Sequence, residues 1–346
     1  MFKGRVGYGT SLLALLALLA MSGMVAISVG AVSVPVEEIL KMGANRVAVG
    51  TFVRNWPESD EVIIGVIRLP RVAGAALVGG ALAVAGVVFQ ALLKNPMADP
   101  YIIGTSGGAA LGATVAMTLP VTATWLGFGL VPVLAFMGAM GTVLFVYNLA
   151  RTGPRVPVVS LLLAGFAVSS MLAAVMSFLM LISGSALRRV ILWTMGGMAV
   201  NGWQQVAVVG PVMLVGAGAI YLLAGDLNAF LLGEEEAAYL GVDVERRKIL
   251  LLFLGSLLTG AAVTISGLVG FVGLVIPHVA RLLFGADHRI LLPASGLVGG
   301  SFLVLADLVA RSLLAPTEIP VGIVTALLGA PFFIYLLRRN KKEYGF

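Results

Sequence analysis

The feature that most constrains this chain is a succession of apolar runs, most of them long enough to cross a lipid bilayer, separated by stretches that carry almost all of the charge. A helix rises about 1.5 Å per residue, so crossing ~30 Å of hydrocarbon takes roughly 20 apolar residues. Shorter or broken spans are tolerated where they pack against protein. Ten such runs can be counted, at 9–30, 63–92, 102–119, 124–149, 156–183, 203–223, 248–268, 271–284, 290–311 and 317–337. The expected fold class is all-α and integral to the membrane, with one transmembrane domain over 1–346. Composition agrees: 60% of the residues are hydrophobic and 11% charged, more apolar surface than a water-soluble core can hide. The 44 glycines and 14 methionines suit close helix approach and adaptable packing.

Ten crossings place both termini on one side, and the basic residues choose the side. One face carries fourteen of the 22: Lys3, Arg5, Lys94, Arg151, Arg155, Arg246, Arg247, Lys248, Arg281, Arg289, Arg338, Arg339, Lys341 and Lys342. The other carries eight: Lys41, Arg46, Arg54, Arg68, Arg71, Arg188, Arg189 and Arg311. The richer face is expected to be cytoplasmic, with both termini there. Lys3 and Arg5 before an apolar stretch resemble a secretion signal, but the stretch from Ser11 to Val34 is too long for one and reads as an uncleaved first span. The net charge of +6 is scattered between spans without a long basic run, so it marks topology and not nucleic-acid binding.

Two loops are long enough to hold structure. Residues 31–61 face outside and end in Glu58, Asp60 and Glu61. Residues 224–247 face inside and read as two short helices around Gly241, because Leu231, Leu232, Ala237, Ala238 and Leu240 alternate with charges that a span would exclude. A soluble partner could dock there.

Several chemistries are missing. The absence of cysteine removes disulfides, thiolate metal sites and a Cys nucleophile. No lysine sits in a G-x-x-x-x-G-K-[ST] phosphate loop, so any ATPase must be another chain. An ion-coupled carrier, the main rival reading, should have acids in midspan. Asp307 is the principal one, and at i, i+4 it can pair with Arg311, which is expected to be exposed at the outer surface. Gly104-Thr105-Ser106-Gly107 matches the G-x-S-G of intramembrane serine proteases, but His278 and His288 both lie beside cytoplasmic charges, so Ser106 reads as packing. Arg68-Leu69-Pro70-Arg71 opens the second span with both guanidiniums on one face, suited either to snorkelling or to an acidic partner. Residues 86–108 form a tight turn, with Asn95-Pro96 and Asp99-Pro100 as turn formers and Gly104, Gly107 and Gly108 allowing close helix contact.

These residues resemble the permeases of bacterial ABC importers for iron chelates, haem and vitamin B12. The resemblance runs from Arg68 to about Arg339 and is strongest in four blocks. They are Arg68 to Arg71; Gln90 to Gly108 around Asn95-Pro96-Met97-Ala98-Asp99-Pro100; Gly270 to His278; and Ala306 to Arg311 running on to Gly329-Ala330-Pro331-Phe332-Phe333. It implies a type II importer permease of the inner membrane. Two ten-helix copies would form a homodimer or pseudo-dimer, with two cytoplasmic ATPases and one external substrate-binding protein. It also implies that Arg68, Arg71 and Arg311 meet glutamates of the binding protein, with Arg188 and Arg189 adding to the patch. The ATPase-coupling segment would fall at about 228–247, with Leu232, Glu236, Ala237, Ala238, Leu240 and Gly241. The path would follow the dimer axis along the fifth and tenth spans, with Ser169, Ser170, Met171, Met176 and Met180 as lining residues. No catalytic residue, metal or cofactor is implied for this chain, since ATP and magnesium belong to the partner ATPase. Trp193-Thr194-Met195-Gly196-Gly197 looks as much like the B12 and haem members as the siderophore ones, which leaves the cargo open.

Overall fold

Backbone polar groups that enter lipid must be bonded within their own segment, and this chain meets the requirement with helices joined by short turns. The computed structural model describes residues 5–30, 32–48, 52–121, 124–125, 128–153, 155–198 and 202–339. Lys3, Lys341 and Lys342 of the charge sorting lie outside them. In chain order the elements are α1 (Arg5–Ser28), α2 (Val36–Val47), α3 (Glu58–Val62), a π-helical turn (Ile63–Arg68), α4 (Leu69–Leu92) and α5 (Thr105–Thr118). A two-stranded ribbon follows, β1 (Thr124–Trp125) antiparallel to β2 (Phe128–Gly129). Then come α6 (Leu130–Ala150), α7 (Val158–Ile182), α8 (Leu187–Thr194), α9 (Trp203–Leu222), α10 (Ala224–Leu232) and α11 (Glu234–Tyr239). The chain ends with α12 (Val244–Ser266), α13 (Val272–Phe284), α14 (His288–Ser312) and α15 (Val321–Arg339).

Among the described residues, seven helical stretches are long and apolar enough to cross a membrane: Gly7–Ser28, Glu58–Leu92, α6, α7, α9, α12 and α14. The other three expected spans fold as the shorter α5, α13 and α15. Two boundaries differ from expectation. The stretch expected at 124–149 begins as the ribbon and becomes helical only at Leu130. The second span begins at Glu58 and not at 63, since Glu58, Asp60 and Glu61 favour the positive end of the helix dipole. Pro70 then lacks an N–H and its ring crowds the carbonyl four residues back. The turn ahead of it widens, so that the Leu69 N–H bonds to Ile64 O, five residues away.

The second long span is the centre of the bundle. From Ala81 to Leu92 every residue of α4 is buried, and α14, α12, α13 and α9 pack around it. Glycine makes the crossings close. A Cβ on Gly79 would lie 2.2 Å from Gly299 O, one on Gly299 would lie 2.4 Å from Gly79 O, and one on Gly86 would lie 1.9 Å from Gly273 O. The same device joins α5 to α6, where a Cβ on Gly108 would lie 2.2 Å from Gly138 O. In lipid, where apolar burial gives little preference between helix and acyl chain, such contact supplies the attraction through dispersion. Gly79→Val should therefore cost about 3 kcal/mol or more, read as a lowered thermal midpoint in detergent. Gly218→Ala, whose Cβ meets nothing within 4 Å, should be neutral or stabilising by up to about 1 kcal/mol.

Candidate functional site

Three polar assemblies stand out against this apolar frame. The first lies where α1 ends. The last carbonyls of any helix lack intrahelical partners. Here Arg68 supplies them, donating Nη1 to Ile27 O (2.6 Å) and Ser28 O (3.1 Å) and Nη2 to Val32 O. Gly30 makes room for it, because a Cβ there would lie 2.6 Å from Arg68 Nη2. Arg311 donates to Ala26 O from the other side. Arg71 faces α14 and grips two carboxylates. Nε and Nη2 reach Asp307 at 2.9–3.2 Å, while Nη1 and Nη2 reach Glu318 at 2.8 and 3.0 Å.

Expected on one face, Arg68 and Arg71 both bond within the protein, Arg68 at the end of α1 and Arg71 to Asp307 of α14 and Glu318. The expected exposure of Arg311 is corrected: its side chain is 9% exposed, with Asp307 at 3.8 Å. Of the five charged groups, Glu318 is the open one, its side chain 55% exposed in the loop before α15. The hydrogen bond from Arg71 holds the Glu318 carboxyl below its ordinary range, and the nearby positive charges of Arg71 and Arg311 add to this against the opposing effect of burial. That contribution to stability is present above the ordinary glutamate range and is lost as pH falls through the lowered value. Arg188 and Arg189 sit exposed on α8, where Arg189 donates to Met117 O (3.0 Å) at the end of α5.

The second assembly is the turn between α4 and α5. Asn95 Oδ1 accepts from the Met97 N–H (2.9 Å) and Asp99 Oδ1 from the Tyr101 N–H (2.8 Å), as Asx turns do. Tyr101 Oη both accepts from Val269 N and donates to Val269 O, at 3.3 Å each, tying this turn to the α12–α13 loop. In that loop Phe271 takes a positive φ of 67° and lies against Gly329 of α15, where an added Cβ would sit 2.5 Å away. Asp99, Tyr101, Gly270 and Phe271 border one open depression. Burial pushes Asp99 up to about 6, partly offset by its bond from Tyr101. Ser106 starts α5 half-buried, and His288 is bonded to Asn228, so a Ser–His dyad gains no support.

The third is the segment of α10 and α11. The break between its short helices falls at Gly233 (φ 140°), not Gly241, which instead follows the second helix at φ 86°. The Glu236 carboxylate folds back over Gly233, leaving no space for a side chain there. Ala237 is fully buried and anchors α11, whereas Leu232, Tyr239 and Leu240 are 66%, 90% and 65% exposed. Ala238 and Gly241 are exposed beside them. Asn228 holds α10 to the start of α14, donating to Asp287 Oδ1 (2.7 Å) and accepting from His288 N (2.9 Å), with His288 Nδ1 at 2.8 Å. Sequence reading missed Asn228 and Tyr101, since a lone polar residue beside an apolar run shows nothing of its distant partner.

Among the expected lining residues of α7, Ser169 is half-buried and packs against Gly104 and Gly107. Ser170 and Met171 are exposed, and Met176 and Met180 half-buried, on a helix that also presents Phe166 and Phe178 to the surroundings.

A bundle of apolar helices whose charged clusters, among the described residues, lie at its ends, and an exposed apolar patch on a polar segment, is the architecture of a polytopic membrane permease. The FecCD transport family model matches residues 17–339, and the chain belongs to that family. It is 49% identical over 282 residues to the cobalamin import system permease protein BtuC of Halobacterium salinarum, covering 82% of this chain and 75% of that one. It is 42% identical over 286 residues to the hemin transport system permease protein HmuU of Yersinia pestis, covering 80% and 83%. A solved structure of a metal-chelate type ABC transporter in an inward-facing conformation superposes with a TM-score of 0.81 at 33% identity, covering 95% of this chain and 98% of that one.

Removing one partner of a buried ion pair leaves the other charge uncompensated. Asp307→Ala should cost about 3–5 kcal/mol in thermal unfolding, against about 1 kcal/mol or less for Glu318→Gln at the exposed rim. Asp99→Asn keeps the oxygen that accepts from Tyr101 and removes a charge that burial disfavours. With its folded value at about 6 against an ordinary 3.8, the cost is present in full above pH 6 and relieved as pH falls. The substitution should stabilise by about 1–2 kcal/mol at pH 7.5, with the gain gone below pH 4, in melts across pH.

Proposed function

We propose that the chain is the permease subunit of an ATP-binding-cassette importer that carries an iron chelate, haem or cobalamin across the inner membrane. The observation that carries this is kinship, over about four-fifths of the chain, with a cobalamin permease and a hemin permease at once. In this reading ten helices cross the membrane, α5, α13 and α15 being the short spans, and both termini are cytoplasmic on the strength of the basic-residue excess. Two copies form a homodimer. Support for it comes from the exposed apolar sides of α7 and α15, including Phe166, Leu181, Leu327 and Leu328. Ser169, Ser170, Met171, Met176 and Met180 would line the path between the copies.

Energy comes from two cytoplasmic ATPases holding ATP and magnesium, while this chain binds no cofactor. Leu232, Leu240 and their neighbours Glu236, Ala237, Ala238 and Gly241 form the docking knob, an apolar patch of the kind a groove accepts. At the outer end a binding protein presents carboxylates. Arg71 receives one in exchange for Glu318, while Arg68 and Arg311 hold the platform, with Arg188 and Arg189 as flanking charges. Closure of the ATPases then rocks the two copies against each other.

The test is proteoliposome uptake of cobalamin, haemin and a ferric siderophore by the permease with its ATPase and binding protein. Uptake should require ATP, and uptake driven by an ion gradient without ATP overturns the reading. Arg71→Glu should weaken binding-protein docking about tenfold or more and flatten its salt dependence. Deleting 234–241 should stop the ATPase copurifying.

A further inference from the structure

Between α9 and α14 lies a cavity of about 470 Å³, floored by α4 and bordered by Leu19 of α1. Small residues create it: Ala76 and Gly80 from below, Ala217 and Gly218 from α9, Pro293 and Gly296 from α14. A Cβ on Gly218 would meet nothing within 4 Å, so this wall faces open space. The cavity opens sideways, since Leu214 and Tyr221 on its rim are 64% and 49% exposed. Close-packed interiors do not leave such an apolar volume empty. A helix about 10 Å across could insert only about one turn into it, whereas a flexible hydrocarbon chain fills a slot of this shape.

One end of the slot carries charge. Arg289, Pro293 and Gly296 follow one another along a single face of α14 at helical spacing, and Arg289 is exposed one turn beyond the cavity. Tyr221 closes the same end from α9, an amphipathic side chain of the kind found at the headgroup level. The neighbouring acid, Asp287, accepts from Asn228 Nδ2 (2.7 Å) and from the Arg289 N–H (3.0 Å) at one oxygen, Oδ1, while its carboxylate stays exposed beside Arg289.

We infer that this slot binds an anionic phospholipid, with one acyl chain between α9 and α14 and the phosphate against the Arg289 guanidinium. No residue lining the cavity is among those assigned to the cargo path or the partner surfaces, although Arg289 lies two positions from Asp287, beside the segment proposed for ATPase docking.

The test uses the purified full chain, with phosphatidylglycerol and phosphatidylcholine of identical acyl chains as probes. Lipid retained per chain is counted by native mass spectrometry, and thermal midpoints are read during titration. Phosphatidylglycerol should be retained and should raise the midpoint more than phosphatidylcholine. Gly218→Leu, or Ala217→Leu on the same wall should the first fail to fold, should fill the slot and reduce retention of both lipids. Arg289→Gln should leave acyl-chain retention in place and lower the phosphatidylglycerol preference about fivefold. Unchanged retention in the wall variants overturns the chain site, and an unchanged preference in Arg289→Gln overturns the headgroup site. Equal displacement of both lipids by detergent in the wild type, an adventitious additive only, overturns both.

Discussion

The close crossings of α4 over α14 and α13 are the contacts on which the rest of this bundle depends. Gly79 against Gly299 and Gly86 against Gly273 bring backbones together at distances that no side chain could share. A soluble protein could gain the same association from apolar burial, but lipid is as apolar as leucine, and close packing must supply the preference. With α4 held centrally, α9 and α12 pack on its remaining sides, and α7 and α15 are left at the periphery with apolar surface uncovered. Packing thus decides which helices are available to a second copy or a path.

The polar groups follow from the same constraint. A charge within a span is tolerated only if it is paired or tied to backbone. Arg68 and Arg311 resolve this by completing the end of α1, and Arg71 and Asp307 by pairing with each other. Glu318 then stands as the one member of the cluster that is largely open, on a loop leading directly into α15. At the other end of α14 Asn228 performs the matching task, joining the segment that bears Leu232 and Leu240 to its first residues. α14 therefore has a polar anchor at each end, one beside each surface proposed for a partner.

Much of the fold was legible because hydropathy at helical length is a local property. Seven of the apolar runs form helices long enough to cross a membrane among the described residues, three contain shorter helices, and the Asx-Pro turns after α4 form as their residues dictate. The errors are equally local. An acidic first turn and a ribbon moved two helix starts, since hydropathy is indifferent to how a chain enters its span. The break at Gly233 was assigned to Gly241 because composition does not rank two glycines set among the same apolar and charged residues.

By itself the sequence determined the lipid solvent, the helical class, the absence of a phosphate-loop motif and the residues that could carry charge into the bilayer, since each depends on residue type and spacing alone. Tertiary structure decided what those charges do. Arg311, read as an exposed arginine, is buried against a helix end 285 positions away in the chain, and Arg71 is committed to acids 236 and 247 positions away. Contacts at such separations arise from packing, and no local pattern in the chain encodes them.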